Sequence, residues 1–238
     1  MPRSKPKDDD SSVEQVITHI RSCIVSGKYP ADTKLLPKLI ADQCGTSFIP
    51  VREAMRALES EGLVTYIHNR GVWVTPLSMS DLDDLYRIRI ELESGAVANS
   101  DKFSEKDIAE LEQILVKMTE FRKLGESSKV IRLNIDFHFK IYGKSNSPRR
   151  IKLIEQLWDH ADRYQRLSLK YRHDAADVEH HEILKHLAAG NNLQAAKALA
   201  THLETTARLV RAGFDADNSQ SQLGSNYRIG VTPSSQMT

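Results

Sequence analysis

The chain of 238 residues has 33 Lys and Arg against 32 Asp and Glu, a net charge of +1, and 40% hydrophobic residues. That length suits two domains, and the charge balance excludes a histone-like polycation while leaving room for a local DNA-reading face. No apolar run is long enough to span a membrane, and MPRSKPKDDD leads into no apolar stretch of the kind a secretory signal needs. Cys23 and Cys44 form no C-x-x-C pair, which excludes a disulfide framework or zinc finger and favours a reducing compartment. The nine histidines are a mild excess.

Taken in order, residues 1–10 read as a flexible arm and residues 11–77 as a first domain. A helix is predicted over Val13–Ser26, stopped by Gly27, and a short one over Leu36–Cys44, stopped by Gly45. A third begins at Ser47, a favourable N-cap, with Pro50 tolerated in its first turn. Its apolar Val51, Met55 and Leu58 face a core, leaving Arg52 and Arg56 on or near the opposite side. Leu63–Ile67 and Gly71–Thr75 are rich in β-branched and aromatic residues and form a hairpin through His68, Asn69 and Arg70. Pro76 ends the second strand, because proline cannot donate to a ladder. Three helices and a hairpin in this order describe a winged helix-turn-helix, whose third helix can enter a major groove about 12 Å wide. A lone surface arginine is more often only a solvated charge, and Arg52 and Arg56 carry that alternative.

The segment resembles the DNA-binding domain of the GntR family of bacterial transcription regulators. The resemblance rests on Pro50-Val51-Arg52-Glu53-Ala54-Met55, Glu61-Gly62-Leu63-Val64 and Asn69-Arg70-Gly71-Val72, in that order. It implies that Lys38, Arg52 and the wing residues His68, Asn69 and Arg70 meet an operator in double-stranded DNA; Ser47, Arg56 and Gly71, beside them in the sequence, are further candidates for that face. The family's usual arginine after Ser47 is here Phe48, and the small polar residue that follows is Ile49. These changes remove a charged contact and bring apolar groups to the groove, where Phe48 can touch a thymine methyl.

From Ser80 to about Arg211 the pattern is helical, with breaks that predict six helices over a second domain at 80–212. Ser104 with Asp107 reads as a capping box. The stretch 213–238 is rich in Ser, Gln, Asn and Gly and reads as a disordered tail. The fold class is therefore mainly α, a winged helix-turn-helix followed by an all-helical bundle of six helices.

At 100° per residue, several polar side chains fall on apolar stripes. Asn134 and His138 lie with Val130, Phe137 and Ile141; His180 lies with Ile183, Leu184 and Leu187; His202 lies with Ala195, Leu199 and Leu209. His180 and His202 each stand 11 residues from Asn191, so an antiparallel hairpin turning there brings them to one level. Three imidazoles and an amide oxygen at one depth suit a divalent transition metal: zinc, nickel, manganese or iron. A lone inward histidine is more often a hydrogen-bonded core residue; three at matched depth favour a site. Glu179 flanks His180 but points off its stripe. Arg89 also faces inward, with Leu82 and Leu85, where it either grips a ligand carboxylate or pairs with Glu93. Arg132, Arg163 and Tyr164 are further candidates for lining a cavity.

This half is similar to the FCD domain, the helical effector-binding domain of the FadR subfamily of GntR regulators. The landmarks are Arg89 and Glu93, Asn134-x-x-Phe137-His138, Glu179-His180, Gly190-Asn191 and His202. The resemblance implies a metal held by Asn134, His138, His180 and His202, with Asn134 standing where Asp is commoner. It further implies a small carboxylate effector near the metal and Arg89, a homodimer, repression as the usual output, and a cytoplasmic, nucleoid-associated place in a bacterium. A metal-dependent hydrolase and a DNA-binding dimer with a metal-free helical domain are the alternatives. The first has no evident general base and no use for the wing.

Overall fold

The computed structural model describes residues 7–166 and 175–226. They form two compact units: one takes the chain up to Leu85 together with Lys152–Arg163, the other Tyr86–Ile151 and the chain from Tyr164 onward. No helix among the described residues is long and apolar enough to cross a membrane.

The first unit contains α1 (Lys7–Val25), β1 (Lys34–Leu35), α2 (Pro37–Cys44), α3 (Phe48–Ser60), β2 (Val64–Ile67) and β3 (Gly71–Val74). α1 starts within the stretch read as an arm, since no proline or glycine interrupts residues 7–12. The apolar stripes of α1 (Val16, Ile20, Ile24) and α3 (Val51, Met55, Leu58) close on Ile40, Leu63, Val64, Val72 and Val74 to make the core. Gly45 ends α2 at φ +62, a left-handed conformation that glycine adopts without a Cβ clash. Ser47 occupies the N-cap of α3 in extended backbone, although its side chain makes no capping hydrogen bond.

The sheet has the order β1-β3-β2, antiparallel throughout, with Val64 opposite Val74 and Ile67 opposite Gly71. β1 adds a strand to the predicted hairpin. At two residues it is too short for alternation to reveal, and Val74 anchors it by donating to Thr33 at 2.9 Å while accepting from Asp32 at 3.1 Å. In the wing turn Asn69 (φ +58) and Gly71 (φ +93) take the positive angles that asparagine and glycine tolerate best.

Residues 152–163 join this unit through polar contacts that no hydrophobic periodicity discloses. Arg21 on α1 bridges Glu61 and Asp159, at 2.6 and 2.7 Å. The His160 ring meets the Glu61 carbonyl at 2.8 Å, and Arg163 donates to the Thr75 carbonyl. The division thus falls at Leu85 and Tyr86, within the helix that begins at Met79, whereas the sequence places the boundary at Pro76–Ser80.

The second unit is built from α4 (Met79–Ala98), α5 (Glu105–Lys123), α6 (Ser127–Tyr142), α7 (Pro148–Gln165), α8 (Ala175–Ala188) and α9 (Asn192–Asn226), with parts of α4 and α7 belonging to the first. α5 packs on α6 and α8, and α8 on α9. The capping box forms: Asp107 N–H donates to Ser104 Oγ at 3.2 Å and Ser104 N–H to Asp107 Oδ2 at 2.9 Å. α9 runs on to Asn226, into the stretch read as a disordered tail. One reason lies in Phe214, whose ring approaches that of Tyr164 at 6.2 Å and anchors a further turn beyond Gly213. Residues 227–238 of that expected tail lie outside the described residues.

Candidate metal centre and nucleic-acid interface

α6, α8 and α9 each turn one histidine into the core of the second unit. His138, His180 and His202 are at most 1% exposed, and one ring nitrogen of each lies within 4.8 Å of the others. His180 and His202, equidistant from the Gly190-Asn191 turn, have ring centroids 4.7 Å apart. Phe137 closes one side, 4.9 Å from the His180 ring.

Hydrogen bonds orient two of these rings. Tyr142, one turn beyond His138 on α6, donates its hydroxyl to Glu93 and lies 3.1 Å from His138 Nδ1. With its proton given to the carboxylate, the phenol oxygen accepts from Nδ1–H, leaving His138 Nε2 with its lone pair toward the other rings. His202 Nδ1 stands 2.7 Å from Glu179 Oε2, so His202 also presents Nε2 inward. His138 Nε2 lies 3.2 Å from His180 Nε2. Two imidazoles bound to one ion at about 2.0–2.1 Å stand roughly 3.0–3.4 Å apart, depending on the angle at the ion. The donor set fits a transition metal, as do the two supported rings, His202 by a carboxylate and His138 by the Tyr142 phenol.

Arg89 is paired with Glu93 in the buried interior, Nε to Oε1 at 2.6 Å and Nη2 to Oε2 at 3.4 Å. Its guanidinium lies 5.0 Å from the centre of the Tyr86 ring. Burial works to lower the guanidinium pKa, but the Glu93 carboxylate outweighs it and holds the group above its ordinary value. Burial and the same carboxylate push the Tyr142 phenol well up, keeping it a donor. A continuous polar chain therefore runs Arg89, Glu93, Tyr142, His138.

Asn134 stands one turn before His138 on α6, half-buried, on the face that residues four apart share. Tyr142 and Glu179 support the rings without being among the site residues that the sequence pattern singles out. Tyr142 had a signal, since it lies four residues from His138. Glu179 sits about 100° off the stripe of α8 and becomes visible only when α9 packs alongside. Arg132 is exposed, and Arg163 is engaged by Thr75 in the first unit.

In the first unit, the N-cap Ser47 and the residues Phe48, Ile49, Arg52 and Arg56 of α3 are all exposed, outside the stripe that faces the core, and Lys38 is exposed on α2. His68, Asn69, Arg70 and Gly71 are exposed at the wing turn, with Arg70 held 5.2 Å from the centre of the Trp73 ring.

Residues 12–74 match the family described as bacterial regulatory proteins, gntR family, and residues 84–205 match the FCD domain. The chain belongs to the GntR family. This GntR regulator is 33% identical to the HTH-type transcriptional regulator McbR of Escherichia coli K12 over 145 residues, 60% of this chain and 66% of that one. It is 31% identical to the Uxu operon regulator of Haemophilus influenzae over 222 residues, 83% of each chain. The solved structure of E. coli McbR/YncC superposes with a TM-score of 0.74 at 26% identity, covering 85% of this chain and 98% of that one. The protein is thus a DNA-binding transcription regulator with an FCD domain, and its relatives are regulators rather than enzymes.

Proposed function

We propose that this GntR regulator is a homodimeric repressor whose hold on its operator depends on a metal and a small organic acid bound in the FCD domain. The observation that carries the reading is the cluster of His138, His180 and His202, with Nε2 atoms of two of them 3.2 Å apart and two rings oriented by Tyr142 and Glu179. Asn134 supplies a fourth, neutral ligand. A metal bound there would offer open coordination positions to a carboxylate, which suits a ligand-sensing role.

Arg89 is already committed to Glu93, so its part is to position that carboxylate and, through Tyr142, the His138 ring. At the DNA, Arg52, Arg56 and Lys38 provide cations to bases and phosphates while the wing, tipped by Asn69 and Arg70, reaches the minor groove. Two copies place their α3 helices about one helical turn apart on a palindrome in the bacterial cytoplasm. The effector changes DNA affinity by a coupling free energy, typically about 1–3 kcal/mol.

The test is a selection of bound fragments from random or source-genome DNA, with and without chelator. Enrichment of one palindrome, with recovery that changes on chelation, is the expected result. Enrichment that ignores the chelator would remove the metal from the mechanism. Salt-sensitive binding with no enriched sequence would remove specific regulation altogether.

A further inference from the structure

Four large apolar side chains crowd the exposed ends of α2 and α3: Leu36 (52% exposed), Leu39 (49%), Phe48 (52%) and Ile49 (66%). Leu36, Leu39 and Phe48 wall a groove of about 500 Å³ that Lys38 and Arg52 flank with positive charge. Clustered apolar exposure of this kind marks a binding surface. Here it occupies the N-terminal end of the recognition helix, the part that meets base edges in helix-turn-helix complexes.

The chemistry selects the occupant. The apolar group that a duplex offers in its major groove is the C5-methyl of thymine. Lys38 and Arg52, which also line the groove, carry the charge that attracts a phosphate backbone, whereas Asp42 disfavours a phosphate within the groove itself. We propose that Phe48, in the groove with Leu36 and Leu39, and its exposed neighbour Ile49 read thymine methyl groups in each operator half-site, a specificity set by apolar contact. This rests on the DNA-binding reading above and adds the base that the helix selects.

Burying one methyl contributes a factor of about four in affinity, so two symmetric half-sites give about fifteenfold. The experiment takes the palindrome obtained by selection and replaces each thymine in turn by deoxyuridine, which pairs identically but lacks the methyl. Binding of the full chain is measured at one fixed salt concentration. The expected result is a loss of about fourfold per half-site at one or two positions beneath α3, and little elsewhere. Phe48→Ala, a truncation of a half-exposed side chain outside the domain core, should weaken binding to the parent palindrome and become indifferent to deoxyuridine at those positions; circular dichroism checks that it folds. Deoxyuridine at every thymine leaving affinity within twofold would overturn the proposal, as would a Phe48→Ala variant that keeps the full sensitivity. Failure to select any palindrome would instead strike the DNA-binding reading, and this inference with it.

Discussion

Replacing Arg89 by Met removes a charge while keeping most of the side chain's volume. Arg89 is 1% exposed and Glu93 0%, so neither group relies on water to solvate its charge. In the variant, Glu93 keeps the hydroxyl of Tyr142 but loses two guanidinium hydrogen bonds and its counter-charge. Stranding one member of a buried ion pair costs about 3–5 kcal/mol, which for a chain of this size lowers the melting temperature by roughly 6–20 °C. Replacing both partners, Arg89→Met with Glu93→Leu, leaves no buried charge and should recover most of that loss, less about 1 kcal/mol for the Tyr142 hydrogen bond. Melting followed by circular dichroism, with urea titration as a check, measures all three proteins. A single variant within about 0.5 kcal/mol of the parent, or a double variant no better than the single, would refute the account of Arg89 as a buried, paired charge.

Glu179→Ala removes the acceptor from His202 Nδ1 and should weaken metal binding about 10- to 100-fold with little change in fold, measured by competition with a chromophoric chelator. Arg52→Ala lies on the exposed face of α3 and should abolish or greatly weaken operator binding in a mobility-shift assay while leaving the melting curve nearly unchanged. Ser104→Ala deletes the cap of α5 and should cost about 1 kcal/mol in denaturant titration. Lys144 and Ser104 hold the Asp107 carboxyl below its ordinary range. Its contribution to that cap is therefore complete above about pH 4 and fades as the pH falls further, so the Ser104→Ala penalty should shrink in acid.

Much of this architecture is legible in the sequence because it follows from local rules. The 3.6-residue period turns His138, His180 and His202 inward, and equal distance from Asn191 brings the last two to one depth. The capping box at Ser104 is a four-residue pattern. The wing follows from two β-branched runs joined by a turn with Asn69 and Gly71. What stays hidden depends on distant partners. β1 exists only because β3 pairs with it, and Glu179 meets His202 only because α8 and α9 lie side by side. The attachment of residues 152–163 to the first unit rests on Arg21, Glu61 and His160, polar groups whose pairing leaves no periodic trace. The continuation of α9 past Gly213 is likewise helped by a ring contact between Phe214 and Tyr164, a partner that the local composition does not show.

The central claim is that His138, His180 and His202 hold a metal ion. The most direct measurement is calorimetric titration of chelator-stripped full-length protein with zinc, nickel, manganese and ferrous ions, beside a His180→Ala, His202→Ala variant shown to be helical. The account predicts one tight site per chain for at least one of these metals, absent from the variant. A parent protein that binds none of them, or a variant that retains the same stoichiometry and affinity, would contradict it.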